Sequence, residues 1–186
     1  MACNTVIAGV SYSCDDLALG GLTKLYIGDK AELTAGSTPL VTVSAAGVVA
    51  IAPETSNLLA DGDVFQMEFN IKDGFSAFTD VKTISDGSVN AVPTITIEVP
   101  KMSGTHRDVL DGLSNPNAEL VAFVETAAGT HHLVGFDYGL YVSTVDGASG
   151  TSRSEKNRYQ LTMTGEQSNL AYDILDAEWP DVATTA

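Results

Sequence analysis

Basic residues are scarce in this chain. Its 186 residues include 9 Lys and Arg against 24 Asp and Glu, a formal net charge of −15. Such a chain is poorly suited to holding nucleic acid by charge, because neutralising phosphate requires Lys and Arg. The excess favours solubility, while its self-repulsion opposes compaction. The scarcity is also uneven. No Lys or Arg lies between Lys30 and Lys72, and none follows Arg158. Arg153, Lys156 and Arg158 form the one basic cluster, in a small polar stretch (VDGASGTSRSEKNR). A basic loop on an acidic chain suits an acidic patch on a neighbouring copy; the plainer reading is a solvated turn.

Cysteine is scarce too. Cys3 and Cys14 are the only two, which excludes a framework of several disulfides. Their spacing is not that of a CxxC metal pair or zinc knuckle. No apolar run approaches the roughly 18 residues of a membrane-spanning helix. Residues 2–10 lack the basic start and long apolar stretch of a secretory signal, so synthesis in the cytoplasm is expected.

Motifs that carry chemistry are missing as well. No GxSxG, HExxH or GxxxxGK[ST] occurs. His106-Arg107-Asp108 matches three letters of a kinase catalytic loop, but the Gly-rich loop, strand Lys and Asp-Phe-Gly that make those letters meaningful are absent. His131 and His132 are adjacent in an apparent strand, so their side chains point to opposite faces and cannot chelate one ion. Asp61-Gly62-Asp63 reads as a turn, because the rest of an EF-hand loop is lacking. Glu68 and Glu98 could pair across neighbouring strands as glycosidase carboxylates do, but carbohydrate sites also present aromatics, and the single tryptophan, Trp179, lies near the C-terminus. No catalytic residue, metal or cofactor is expected, and the chain is not read as an enzyme.

What the chain does have is alternation. In 155–165 (EKNRYQLTMTG), Tyr159, Leu161 and Met163 fall on one face and Gln160, Thr162 and Thr164 on the other. That is the period of a strand with one buried and one wet face. In 63–73 (DVFQMEFNIKD), Phe65, Met67, Phe69 and Ile71 oppose Gln66, Glu68, Asn70 and Lys72. In 91–99 (AVPTITIEV), Ile95, Ile97 and Val99 oppose Thr94, Thr96 and Glu98, with Pro93 marking an edge or strand start. Further strands are expected at 22–28, 75–85 (pairing back on 63–73), 119–126, 131–136, 137–144 and 170–175. Residues 103–113 (SGTHRDVLDGL) read as the one helix, capped by Ser103 or Thr105, with an apolar stripe of Val109, Leu110 and Leu113. Residues 40–52 read as a hairpin or bent strand around Gly47, within a long insertion at 29–62.

These elements predict a mainly β fold: an antiparallel β-sandwich or barrel with one flanking helix and a long projecting hairpin or loop. The expected organisation is an N-terminal arm (1–21), one β-domain (22–176) and a loose C-terminal tail (177–186).

The polar loop followed by a late strand ending in TxTG (NRYQLTMTGEQ), together with the acidic composition, the single helix ahead of the last strands and the insertion at 29–62, resembles the major tail-tube proteins of long-tailed bacteriophages. The resemblance covers residues 22–176 in architecture, and the Cys-containing arm sets this chain apart. It implies a structural virion protein, assembled in the host cytoplasm, whose hexameric rings stack into a tube. Tape-measure and tail-completion proteins would be its partners, and DNA would pass through without specific binding. On that basis the lumen candidates are Gln66, Glu68, Asn70, Thr94, Thr96, Glu98, Gln160, Thr162 and Thr164, with Glu68 and Glu98 supplying negative charge. The subunit-interface candidates are Leu40, Val41, Val43, Val48, Val49 and Ile51, an apolar set expected to be exposed on a single chain, and Arg153, Lys156 and Arg158. The competing readings are a capsid decoration or head–tail joining protein, and a carbohydrate-binding β-module with clustered exposed aromatics.

Overall fold

The computed structural model describes residues 6–7, 10–11, 20–35, 38–54, 56–69, 76–85, 88–150 and 155–183. Strands β1 (Val6–Ile7) and β2 (Val10–Ser11) form a small antiparallel pair. The rest is organised by a nine-stranded antiparallel sheet that folds into two halves. One half contains β3 (Leu22–Asp29), β6 (Val64–Gln66), β9 (Leu120–Thr126), β10 (His131–Val134) and β13 (Tyr172–Ile174), in the order β13-β10-β9-β3-β6. The other contains β7 (Ala77–Ser85), β8 (Ser88–Pro100), β11 (Leu140–Ala148) and β12 (Arg158–Gly165), in the order β11-β12-β8-β7. The halves are joined where Leu140 of β11 pairs with Leu120 of β9.

Between the halves lies the first core. Leu25 and Ile27 from β3, Ile95, Ile97 and Val99 from β8, Ala122 and Val124 from β9, and Leu161 and Met163 from β12 meet there. The expected inward residues of 91–99 and 155–165 are therefore the buried ones, Tyr159 packing partly buried against the same cluster. Helix α3 (Gly104–Leu113) covers this core with Leu110 and Leu113; Ser103 Oγ caps it by accepting the His106 N–H at 3.2 Å. Val109, the third residue of the predicted stripe, remains 43% exposed.

The first half of the sheet is buried on both faces. Along β9, Leu120, Ala122 and Val124 enter the first core while Val121 and Phe123 enter a second. This accounts for the unbroken apolar run LVAFV, where a half-exposed strand would alternate. The second core is roofed by the hairpin β4 (Val41–Val43) and β5 (Val49–Ile51) and by three short helices, α1 (Lys30–Thr34), α2 (Leu58–Asp61) and α4 (Trp179–Val182). A Cβ at Gly28 would lie 2.7 Å from Leu33 Cδ1 and 2.8 Å from the Asp63 carbonyl oxygen, so glycine is what lets α1 and β6 close onto β3.

Five expectations change. The insertion at 29–62 contains the expected hairpin, but it lies on the sheet and does not project, because Val41, Val49 and Ile51 complete the second core. Residues 29–39, read as irregular, contain α1, whose Asp29 carboxylate caps it by accepting the Ala31 N–H at 2.7 Å. There are thus four helices among the described residues, three of them too short to show a helical period. Strand β6 spans only 64–66. Met67 enters the first core and Phe69 packs against it partly buried, but β6 is an edge strand among the described residues and Phe65 stays 38% exposed; Asn70, Ile71 and Lys72 lie outside the described residues. The partner of β7 is β8, in register to Ser85↔Ser88, and β6 pairs with β3. A two-residue connection makes the β7–β8 hairpin the local solution. Finally, the C-terminal stretch read as loose places Trp179, Val182 and Ala183 in the second core.

Candidate assembly surface

The four-stranded half turns one face to the core and the other to solvent, and among the described residues no element forms a layer over the outer face. Register decides what that face presents. Thr162 pairs with Thr96 and Thr164 with Thr94 across β12–β8. Thr79 continues the second row through its pairing with Thr94 on β7, and Thr144 continues the first through its pairing with Thr162 on β11. The result is a patch of six threonines from four strands, with Tyr141 beside Thr164 and Gln160 opposite Glu98. Thr94 Oγ1 and Thr164 Oγ1 lie 3.5 Å apart, Thr164 Oγ1 donates to the Pro93 carbonyl at 3.2 Å, and Ser143 Oγ donates to the Thr162 carbonyl at 3.1 Å where β11 bulges. The centre of the face is hydroxylated, and Asp146, paired with Gln160, adds an exposed carboxylate toward its end.

Glu98 departs from expectation. It belongs to the outer face by alternation, yet it is 1% exposed. Arg158 Nη1 donates to Glu98 Oε2 at 2.6 Å and Lys156 Nζ stands 3.3 Å from Oε1. Glu98 therefore supplies no exposed negative charge. It binds two of the cations that sequence reasoning assigned to a neighbouring copy, so the basic cluster is engaged within its own chain; Arg153 lies outside the described residues. A buried carboxylate needs such partners, because desolvating it alone costs several kcal/mol on the order of magnitude typical for ions.

The other predicted positions divide. Thr94, Thr96, Gln160, Thr162 and Thr164 share the outer face. Gln66 and Glu68 do not: at the end of β6 and just beyond it, they border a groove of about 200 Å³ together with Phe65, Met67, His106 and Val109. Asn70 lies outside the described residues. Of the apolar interface set, Val41, Val49 and Ile51 are buried and Leu40 and Val43 pack against the second core; only Val48, at 50%, is substantially exposed.

Five of the other exposed apolar residues, Val81, Ile84, Val89, Tyr141 and Val145, lie on strands β7, β8 and β11 of the four-stranded half. Among the described residues, strand β7 pairs only with β8, and β11 pairs with β12 and, through Leu140, with β9. Val81 (59%), Ile84 (75%) and Val89 (45%) are exposed on the β7–β8 hairpin, and Val145 (40%) on β11. Strands with one unpaired side are templates for pairing with another chain. Alternation within 77–85 could have found Thr79, but the bulge between Val142 and Thr144 breaks the alternation that would have linked Thr144 to Tyr141. The free edges had no local signal, because pairing is non-local.

His131 stacks on Trp179 with centroids 4.1 Å apart while His132 faces Phe78 at 5.9 Å, opposite sides of β10 as expected. Asp61-Gly62-Asp63 ends α2, with Gly62 in the left-handed conformation. Burial, then the charges of Asp61, Glu54 and Glu32, holds the Asp63 carboxyl above its ordinary pKa. Among the described residues no group of three or more His, Cys, Asp or Glu is arranged to hold a metal ion, and no helix is long and apolar enough to cross a membrane.

The fold and surface define a class, a mainly β antiparallel sandwich with flanking helices. Beyond the class there is no closer likeness: no protein-family model, curated protein or solved structure matches the chain.

Proposed function

We propose that this chain is a structural virion protein that pairs with copies of itself into hexameric rings, stacked as the tail tube of a long-tailed bacteriophage. The observation that carries the reading is the β11-β12-β8-β7 sheet, each side of which has a long edge left unpaired among the described residues, and its hydroxylated outer face. Pairing β7 of one copy with β11 of the next is a heterologous contact, which generates a closed ring when the rotation per copy allows it. The outer faces then form one continuous lining. A lining of threonine hydroxyls, with Arg158 and Lys156 held by Glu98, offers DNA phosphates little to bind among the described residues and stays hydrated, as a conduit requires. The tape-measure and tail-completion proteins are its proposed partners, and the virion tail its location.

Electron microscopy of the negatively stained, purified chain tests this directly: rings or tubes are expected. Val81→Glu with Ile84→Glu changes only exposed edge positions and should leave the chain folded while abolishing rings. Rings that persist in this variant would exclude the β7 edge as the contact.

A further inference from the structure

The two most exposed aromatic side chains among the described residues, Tyr138 (64%) and Tyr141 (51%), border the same cleft. It has a volume of about 360 Å³ and includes Asn117, Glu119 and Gly139 in its walls. That is the lower end of the roughly 300–1,000 Å³ of small-ligand sites. The cleft is partly prearranged. Tyr138 stands in the turn between β10 and β11, its hydroxyl 3.5 Å from Ser168 Oγ. Glu119 Oε2 is held by Lys30 Nζ at 3.1 Å, and the same Nζ donates to the Asp137 carbonyl at 3.0 Å.

We propose that this cleft binds a neutral sugar unit of a glycan. Tyrosine rings exposed to water beside a polar cleft offer flat apolar faces, and the C–H face of a pyranose is the complementary surface. A Tyr ring is also amphipathic, with a hydroxyl that stays hydrogen-bonded in a wet site. Sugar hydroxyls require acceptors and a mixed donor–acceptor, and Glu119 and the Asn117 amide provide both. Among the described residues the cation beside the cleft, Lys30, is committed to Glu119, and the chain carries a net charge of −15; phosphates, sulfates and carboxylated sugars are therefore disfavoured. The cleft lies on a single chain, and the proposal does not depend on ring formation.

The test is a ¹H–¹⁵N NMR titration of the full-length chain with methyl β-glucopyranoside, methyl β-galactopyranoside and N-acetylglucosamine. Each is taken to roughly 50 mM, well beyond a millimolar Kd. Saturable shifts confined to residues around 117–119 and 138–141 are expected with at least one sugar. Tyr138→Ala and Tyr141→Ala should each weaken binding about tenfold or more, the scale of losing an aromatic anchor, while Tyr141→Phe, which keeps the ring, should bind almost as wild type. Both tyrosines are exposed, so the variants should melt as wild type does. Absence of saturable shifts with all three sugars would overturn the proposal. So would shifts that persist in the double alanine variant, tighter binding of galactose 6-sulfate than of its neutral counterpart, or shifts that follow protein concentration and not sugar, which would make the cleft a contact between copies.

Discussion

Glu98 shows how a single residue's role turns on its neighbours. Its position on an alternating strand assigns it to the wet face, and register then places it against Arg158 and Lys156. Glu98→Gln would leave both cations without their carboxylate. Complete burial of both partners would put the loss at 3–5 kcal/mol, but Arg158 and Lys156 are partly exposed and screened, so about 2 kcal/mol is expected from urea denaturation. Asp63 predicts the opposite sign. Its pKa is raised in the folded chain, so the native state binds more protons than the unfolded state in the range between the ordinary and the raised value. Stability therefore falls as pH rises through that range and stays reduced above it. Asp63→Asn removes this cost. Its melting temperature should exceed wild type by on the order of 1–2 °C at pH 7 and match it at pH 3, where the carboxyl is protonated in both states. Gly165, which closes the TxTG motif, is explained by packing: a Cβ there would collide with the Gly139 carbonyl oxygen and lie 3.0 Å from Leu140 Cδ2.

At the scale of elements, the hairpin β4–β5 and helix α4 roof the second core and arrive there from distant parts of the chain. Glu178 of the segment leading into α4 accepts the Ile51 N–H of β5 at 3.1 Å, and Trp179 packs edge-on against Tyr26 of β3 at 5.8 Å. Read alone, residues 40–52 suggest a dispensable projection. The structure reverses that prediction. Deleting 36–52 removes Val41, Val49 and Ile51 and uncovers Phe123 and Leu133, a loss comparable to several large-to-small core substitutions at about 2–5 kcal/mol each. The expected result is an unfolded or aggregating chain, seen as loss of a cooperative melting transition. Trp179 is the sole tryptophan, so its fluorescence would report the opening of this roof directly.

At the scale of the whole molecule, charge and edges compete. A net charge of −15 per chain repels neighbouring copies, and salt screens that repulsion with a Debye length of about 10 Å at 0.1 M. The exposed Val81, Ile84 and Val145 along the free edges favour association. Assembly, followed by sedimentation or light scattering, should therefore increase from low salt to roughly 0.5 M NaCl. Assembly that weakens with salt would mean that attraction between opposite charges, and not edge pairing, holds the copies together.

The mainly β class, the α3 cap at Ser103, the inward sets on β8 and β12 and the hairpin at Gly47 were all legible in the sequence, because each rests on local periodicity or turn chemistry. Thr94, Thr96, Thr162 and Thr164 of the outer face were legible strand by strand for the same reason; Thr79 and Thr144 joined them only through register. What the sequence could not supply was the pairing between distant segments. Alternation says that Thr96 and Thr162 each point away from a core; only the register of β8 against β12 makes them neighbours. It likewise cannot say that β6 joins β3, that Val41 and Trp179 share a core, or that Glu98 faces two cations. Those outcomes depend on which apolar surfaces find each other in three dimensions. Burial energy is non-directional, so many pairings satisfy the same one-dimensional pattern, and close packing selects among them.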